Sequence, residues 1–258
     1  MCYRGRLIFV SLAFIVAAAC GGGQNKSAEP SAPAAAPDAK KVDMATAGEI
    51  SGKVLVDGQL PPNRPLNMAG DSACNNLNAT AETYVAKNGE LENVFVYIKD
   101  GLGNKYLFDT PTEPVDLDQK GCMYHPHVLG VRVGQPLRVI NSDQTMHNVH
   151  GMPQTNREFN KSQPITGQKD SFTFTAPEVM IPFKCDVHGW MNAYVGVVNH
   201  PYFAVTGHGG TFALRSVPPG TYTVEAWHEK LGRQQKSVTV GEKEKKEIVF
   251  TFKAPVAP

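Results

Sequence analysis

The stretch FKCDVHGWM, residues 183–191, places a thiol, an imidazole and a thioether on one short loop. Two residues separate Cys185 from His188, and two more separate His188 from Met191, so the three side chains can converge on a single ion. A thiolate and two imidazoles in one plane, with a weak axial thioether, form the ligand set of a blue-copper electron-transfer site. The loop therefore predicts such a site, and it requires a second imidazole from elsewhere in the chain.

The second imidazole is available in NSDQTMHNVH, residues 141–150, which follows a predicted strand ending near Ile140. Together the two segments resemble the cupredoxin family, and within it the amicyanin type, which shares both the His-Asn-Val-His run and the short Cys-x-x-His-x-x-Met loop. This resemblance covers the middle of the chain and implies a Greek-key β-sandwich.

The resemblance also implies one type 1 copper ion, whose ligands would be His147, Cys185, His188 and Met191. Asn148 would pin the ligand loop through hydrogen bonds. The edge of His188 would be the electron port, on an exposed loop ringed by apolar residues such as Trp190.

Other metal sites fit the sequence less well. Structural zinc favours two or more cysteines, and only Cys185 is near. A binuclear copper centre would need a second cysteine in the loop, and a multicopper oxidase would need histidines where Lys184 and Asp186 stand. Without an open coordination position there is no place for substrate, so we expect a carrier of single electrons between redox proteins rather than an enzyme. The alternative is a copper-binding or copper-delivery lipoprotein.

Two further histidines form a pattern of their own. His125 and His127 flank a proline on a predicted strand and could share one face, but no third ligand is obvious for a second metal. A structural or surface role is favoured for both. For His150 the sequence leaves support of the site and a plain structural role equally open.

The chain from Gly48 onward has the pattern of an all-β protein. Hydrophobic residues alternate with polar ones in short runs, such as Val94, Val96 and Ile98, and turn sequences such as Pro218-Pro219-Gly220 separate the runs. Residues 72–81 are the best candidate for a short helix. Many short strands with frequent turns indicate β-sandwiches.

The length suggests two sandwiches. Residues 48–108 and 202–253 resemble the two halves of a transthyretin-like or carboxypeptidase-regulatory-like sandwich, through runs such as GTFAL at 210–214 and VPPGTY at 217–222. One interpretation is a cupredoxin domain, residues 109–201, inserted into this discontinuous second sandwich. The other is three consecutive pieces whose flanks pack as extensions.

The N-terminus has the pattern of an export signal. Arg4 and Arg6 precede an apolar run over residues 7–19, which is too short to span a bilayer, so residues 1–19 are expected to be a signal peptide. The AAACG run at 17–21 resembles a bacterial lipobox, in which Cys20 would be lipidated; an ordinary secretory signal is the alternative. An Ala- and Pro-rich tether, residues 20–47, would follow. We expect a periplasmic protein anchored to the outer membrane.

Cysteine use and charge complete the prediction. Of the five cysteines, Cys2 would leave with the signal. Once lipid is assigned to Cys20 and copper to Cys185, Cys74 and Cys122 remain in an oxidising compartment, where a disulfide is expected. Lys plus Arg total 25 and Asp plus Glu total 24, which gives no indication of nucleic-acid binding.

Overall fold

The computed structural model describes residues 36–75 and 79–255, and the predicted all-β fold is confirmed. The predicted signal, Cys20 and the tether up to residue 35 lie outside the described residues. Within the described part of the chain, no helix is long and apolar enough to cross a membrane. Residues 36–47, the end of the predicted tether, lie along a neighbouring loop, where the Lys40 N–H donates to the Lys105 carbonyl at 3.1 Å.

Two sheets come from the two ends of the chain. Their strands are β1 (Gly48–Asp57), β2 (Ala86–Lys87), β3 (Glu90–Leu91), β4 (Phe95–Asp100), β14 (Phe203–Val205), β15 (Thr211–Val217), β16 (Gly220–His228), β17 (Gly232–Val240) and β18 (Lys245–Lys253). One sheet has the order β15-β1-β3-β2, with β18 parallel to β1, and the other has the order β14-β4-β16-β17. A 3-10 turn, His208–Gly210, precedes β15.

Two more sheets come from the middle of the chain. Their strands are β5 (Val115–Lys120), β6 (Met123–His125), β7 (Val128–Arg132), β8 (Leu137–Asn141), β9 (His147–Gly151), β10 (Phe159–Gln163), β11 (Lys169–Phe172), β12 (Glu178–Lys184) and β13 (Asn192–Val198). Their orders are β10-β9-β12-β13-β7 and β11-β8-β5-β6. Side chains between these two sheets, including Leu117, Val139 and Val195, are fully buried and form one core.

The chain leaves the outer pair of sheets after β4 and re-enters it at β14, which pairs antiparallel with β4. This pairing groups the strands as an insertion would, while the domain boundaries and the transthyretin-like resemblance stay predictions. Phe95 of β4 packs on the middle sheets over Gly130 and Gly196. A methyl group at Gly196 would lie 2.5 Å from the Phe95 ring, so only glycine permits this approach.

The predicted helix over residues 72–81 is wrong for the residues that the structure describes. Residues 72–75 form a turn, and Thr80 makes an isolated bridge with Pro65. The Asp71 carboxylate accepts a hydrogen bond from the Ala73 N–H at 2.8 Å, which favours a turn over a continuing helix. The disulfide between Cys74 and Cys122, with Cα atoms 5.8 Å apart, fixes this turn against the middle sandwich.

Candidate metal centre

The four predicted ligands lie at one end of the middle sandwich because of strand order. His147 is the first residue of β9. Lys184, the last residue of β12, pairs with His150 of β9, and because the two strands are antiparallel the chain beyond β12 runs toward His147. Cys185 directly follows β12, and Met191 directly precedes β13. The hairpin between β12 and β13 therefore brings the Cys185–Met191 loop next to His147.

The side chains converge in a buried space. The Nδ1 atoms of His147 and His188 are 3.0 Å apart, and His188 Nδ1 is 4.0 Å from Cys185 Sγ. The donor atoms of these three residues all lie within 4.8 Å of one another. Met191 is buried in the same core as Cys185, and its N–H donates to the His188 carbonyl at 2.9 Å. The loop is thus closed on itself around the three donors.

The Cys185 sulfur is held as an acceptor. The backbone N–H groups of Asn148 and His188 each donate to Sγ at 3.4 Å. Burial raises the pKa of the Cys185 thiol, but hydrogen bonds from His147 and from these N–H groups outweigh burial and lower the pKa. The thiolate, which is the form that binds metals, is favoured at this position.

Asn148 joins the two ligand segments, which is the place the resemblance implied for it. Its Oδ1 accepts a hydrogen bond from the Asp186 N–H at 2.6 Å, and its Nδ2 donates to Asn160. The residue after Cys185 is therefore tied to the residue after His147.

Asp143, which the sequence analysis missed, contacts the outer nitrogen of His147. Its Oδ2 is 2.9 Å from His147 Nε2, and its two oxygens accept the N–H groups of Gly121 and Cys122 at 2.7 and 2.8 Å. Burial lowers the pKa of His147, but the Asp143 carboxylate and the Cys185 sulfur outweigh burial and raise the pKa to about 9. A carboxylate four residues before a ligand, on the same loop, is a signal that the sequence did contain.

Asp71, also missed, contacts the outer nitrogen of His188. The Asp71 Oδ2 atom is 3.1 Å from His188 Nε2 and accepts a hydrogen bond from Thr145 Oγ1 at 2.5 Å. The pKa of Asp71 is lowered by the hydrogen bond from Thr145, then by the Ala73 N–H and His188. Burial lowers the pKa of His188, against the effect of Asp71. No local spacing in the sequence links residue 71 to residue 188.

The expected exposure of His188 is wrong, because the turn that carries Asp71 and Cys74 covers it. His188 is only 3% exposed. Trp190 packs on the His188 ring with centroids 4.9 Å apart, and its Nε1–H donates to the Cys122 carbonyl at 2.9 Å. We call residues 66–75 the covering segment.

The donor set fits a type 1 copper ion. An ionised carboxylate only accepts hydrogen bonds, so Nε2 of each histidine carries the proton that faces its aspartate. A neutral imidazole then presents a lone pair at Nδ1, and these two lone pairs point at each other 3.0 Å apart beside the thiolate. Such an arrangement is unfavourable unless a proton on His147, which its raised pKa favours, or a metal ion lies among the donors. The two imidazoles, the thiolate and buried Met191 are the donors that copper takes in blue-copper sites.

The remaining histidines lie elsewhere. His127 is buried, with its Nε2 2.6 Å from Glu229 Oε1, and His125 is exposed. Neither belongs to any metal-binding group among the described residues. His150 lies between Asp186 and Glu158, at 3.0 and 2.7 Å.

A scan against protein-family models finds no match, and a search among curated proteins finds no relative. Among solved structures, an oxidised amicyanin variant is 26% identical over 33% of this chain and 81% of that chain, with a TM-score of 0.30. A purple cupredoxin from Nitrosopumilus maritimus is 22% identical over 32% of this chain and 97% of that chain, with a TM-score of 0.28.

A copper-containing nitrite reductase from Thermus scotoductus is 24% identical over 37% of this chain and 24% of that chain, with a TM-score of 0.31. These three likenesses span only part of this chain. The chain contains a domain similar to amicyanin and other cupredoxins.

Proposed function

We propose that the protein is a one-electron carrier with a single type 1 copper ion held by His147, Cys185, His188 and Met191. One observation carries the proposal: two Nδ1 lone pairs and one thiolate sulfur converge in a buried space closed by the Cys185–Met191 loop. When bound there, copper would supply a centre that alternates between two oxidation states.

The residues around the donors favour electron transfer over turnover of a substrate. The outer nitrogens of both histidines are held by carboxylates, and the sulfur is held by two N–H groups. Ligands fixed in this way move little when the charge of the centre changes, which lowers the reorganisation that each electron transfer requires. Since His188 is covered and the donors face one another, we propose no substrate position and no enzymatic activity.

Anchoring and location extend the proposal on sequence grounds. We propose that Cys20 carries lipid and that the protein faces the periplasm from the outer membrane, where it exchanges electrons with other redox proteins. Met146 and Val187, each next to a ligand histidine, are 45% and 44% exposed and offer apolar contact to such a partner.

The absorption spectrum of the copper-loaded protein tests the site. Charge transfer from a Cys185 thiolate should make the oxidised protein intensely blue or green. Cys185→Ser should abolish the band and His147→Ala should change it strongly. His150→Ala is the matched control, because it removes a nearby imidazole that points to Asp186 and should leave the band in place. A colourless protein with an ordinary tetragonal copper spectrum would refute the assignment.

Copper exchange separates the carrier from the alternative, a copper-delivery lipoprotein. A closed site should release Cu(I) slowly to the chelator bathocuproine disulfonate, and the protein should complete repeated oxidation and reduction with its copper retained. Rapid and complete transfer of copper to the chelator would favour delivery, if the rate is the same with and without the disulfide that holds the covering segment.

A further inference from the structure

A cavity lies where the chain crosses between the outer and the middle sheets. Its volume is about 670 Å³, and its walls come from the loop after β4, including Tyr106 and Phe108, and from the crossing back at Asn199 and His200. Arg132, the last residue of β7, lines it. A second cavity of about 510 Å³ shares Arg132 and Phe108. Arg132 therefore lines both cavities, and none of the four predicted metal ligands lines either of them.

Arg132 is a buried cation without a counter-ion among the described residues. The residue is 5% exposed, and its Nη2 donates to the Asn199 carbonyl at 3.0 Å. Its Nε is buried without a hydrogen-bond partner, and within residues 36–75 and 79–255 no carboxylate pairs with the guanidinium. A buried guanidinium normally has a carboxylate partner, because leaving the charge unpaired is costly. The Phe108 ring, 5.7 Å from the guanidinium carbon, compensates only in part.

The second cavity carries a net positive charge, whereas Asp100 and Lys99 line the first cavity beside Arg132. Lys41 and Arg215 line the second cavity together with Arg132, while Asp109 is already paired with Lys41 at 2.9 Å. His200 adds no charge, since burial lowers its pKa to about 4. The walls beside the guanidinium are aromatic, with Phe108 edge-on to Tyr202 at 5.5 Å between centroids. A matching ligand would combine one negative group with an apolar body.

We propose that this cleft binds a small organic carboxylate, whose carboxylate pairs with the Arg132 guanidinium and whose apolar part packs on Phe108 and Tyr106. A planar fork of N–H donors matches a carboxylate through two parallel hydrogen bonds. A phosphate would need more donors than this single buried guanidinium offers. The site is independent of the copper centre and of the function proposed for it.

Benzoate is a suitable probe, because it joins a carboxylate to an aromatic ring. The experiment titrates benzoate into the full chain, copper-loaded and reduced, and follows the Arg132 Nε–H signal by ¹⁵N NMR, assigned by its loss in Arg132→Lys. We expect a saturable shift of this signal with benzoate and none with benzyl alcohol, which has the same ring and no charge. Arg132→Met should weaken benzoate binding, measured by calorimetry, about tenfold or more.

Arg157→Met is the matched control, because Arg157 is exposed and lines neither cavity. It should bind benzoate as the parent protein does, and near-UV circular dichroism should show that each variant is folded. The proposal is overturned if benzoate leaves the Nε–H signal unmoved, if benzyl alcohol moves it equally, or if folded Arg132→Met binds benzoate undiminished. It is also overturned if benzoate binds only after residues 1–35 or 256–258 are deleted, because one of those segments would then be the partner of Arg132.

Discussion

Removing the disulfide between Cys74 and Cys122 should destabilise the middle sandwich and uncover the metal centre. Cys74 lies in the covering segment and Cys122 in the turn between β5 and β6, so this bond joins the cover to the sandwich beneath it. Both cysteines are buried with Met68 in one small cluster against Trp190. The double variant Cys74→Ala/Cys122→Ala removes the bond without leaving a free thiol in the cluster.

The expected magnitude follows from the length of chain that the bond closes. The two cysteines are 48 residues apart. In the chain-entropy treatment, a loop of this length corresponds to about 4 kcal/mol at 25 °C in the free energy of unfolding. A domain of this kind is stable by roughly 5–15 kcal/mol, so the variant should fold but with a much reduced denaturant midpoint.

Urea unfolding of the metal-free protein measures this loss, and the two tryptophans locate it. Trp190 lies in the ligand loop and Trp227 in β16, so Trp227→Phe and Trp190→Phe backgrounds report on the two sandwiches separately. We expect the loss in the transition that Trp190 reports. A loss below about 1 kcal/mol there would show that the disulfide does not restrain the unfolded chain as reasoned. Cys185→Ser, which removes a different buried thiol and no crosslink, controls for substitution of cysteine.

Three further predictions concern the charges that the structure buries. Asp71→Asn removes a negative charge beside His188 and should raise the reduction potential by tens of millivolts, where about 59 mV corresponds to a tenfold change in the equilibrium; voltammetry measures it, and Asp116→Asn, far from the centre, should leave the potential unchanged. Burial lowers the pKa of both His200 and His228 to about 4. The unfolded chain protonates both residues from about pH 6.5 downward, whereas the folded chain protonates them only near pH 4. The free energy of unfolding should therefore decrease as the pH is lowered, by about 2 kcal/mol for each residue at pH 5. Urea unfolding of metal-free protein at pH 7 and 5 checks this, and a His200→Gln/His228→Gln variant with the same pH dependence would contradict it. His127→Phe leaves the buried Glu229 side chain with only the hydrogen bond from the Tyr194 hydroxyl and should cost about 3 kcal/mol, more than the double variant His127→Phe/Glu229→Gln; additive losses in a double-mutant cycle would refute the coupling.

The features that the sequence could predict are local ones. Alternating hydrophobic runs and turn residues suffice for strands, because the side-chain period of a strand is a local property. The Cys185–Met191 loop carries three donors within one hairpin, and its spacing alone indicates convergence. His147 required only a neighbouring strand. These elements are close in the chain or follow from the pairing of β9 with β12.

The features that the sequence did not predict depend on distant contacts. Asp71 reaches His188 across 117 positions of the chain, and neither residue has a neighbour that indicates the other. The helix predicted over residues 72–81 failed for the same reason, since the disulfide and the Asp71 carboxylate hold a turn there. The buried pair of His127 and Glu229, 102 residues apart, likewise depends on how the sandwiches pack.

The tautomers of the two ligand histidines are fixed by aspartates from different parts of the chain, and one of these aspartates lies in the covering segment. Asp143 fixes the tautomer of His147 from within its own loop, whereas Asp71 fixes that of His188 from a segment held by a disulfide. Both histidines therefore present Nδ1 to the space beside the Cys185 sulfur, and the raised pKa of His147 favours a proton on that residue in the metal-free protein. A metal ion held by these donors would have to displace that proton. The Cys74–Cys122 disulfide holds the turn that carries Asp71, so the orientation of His188 depends on this disulfide. Neither of these two cysteines is among the predicted metal ligands.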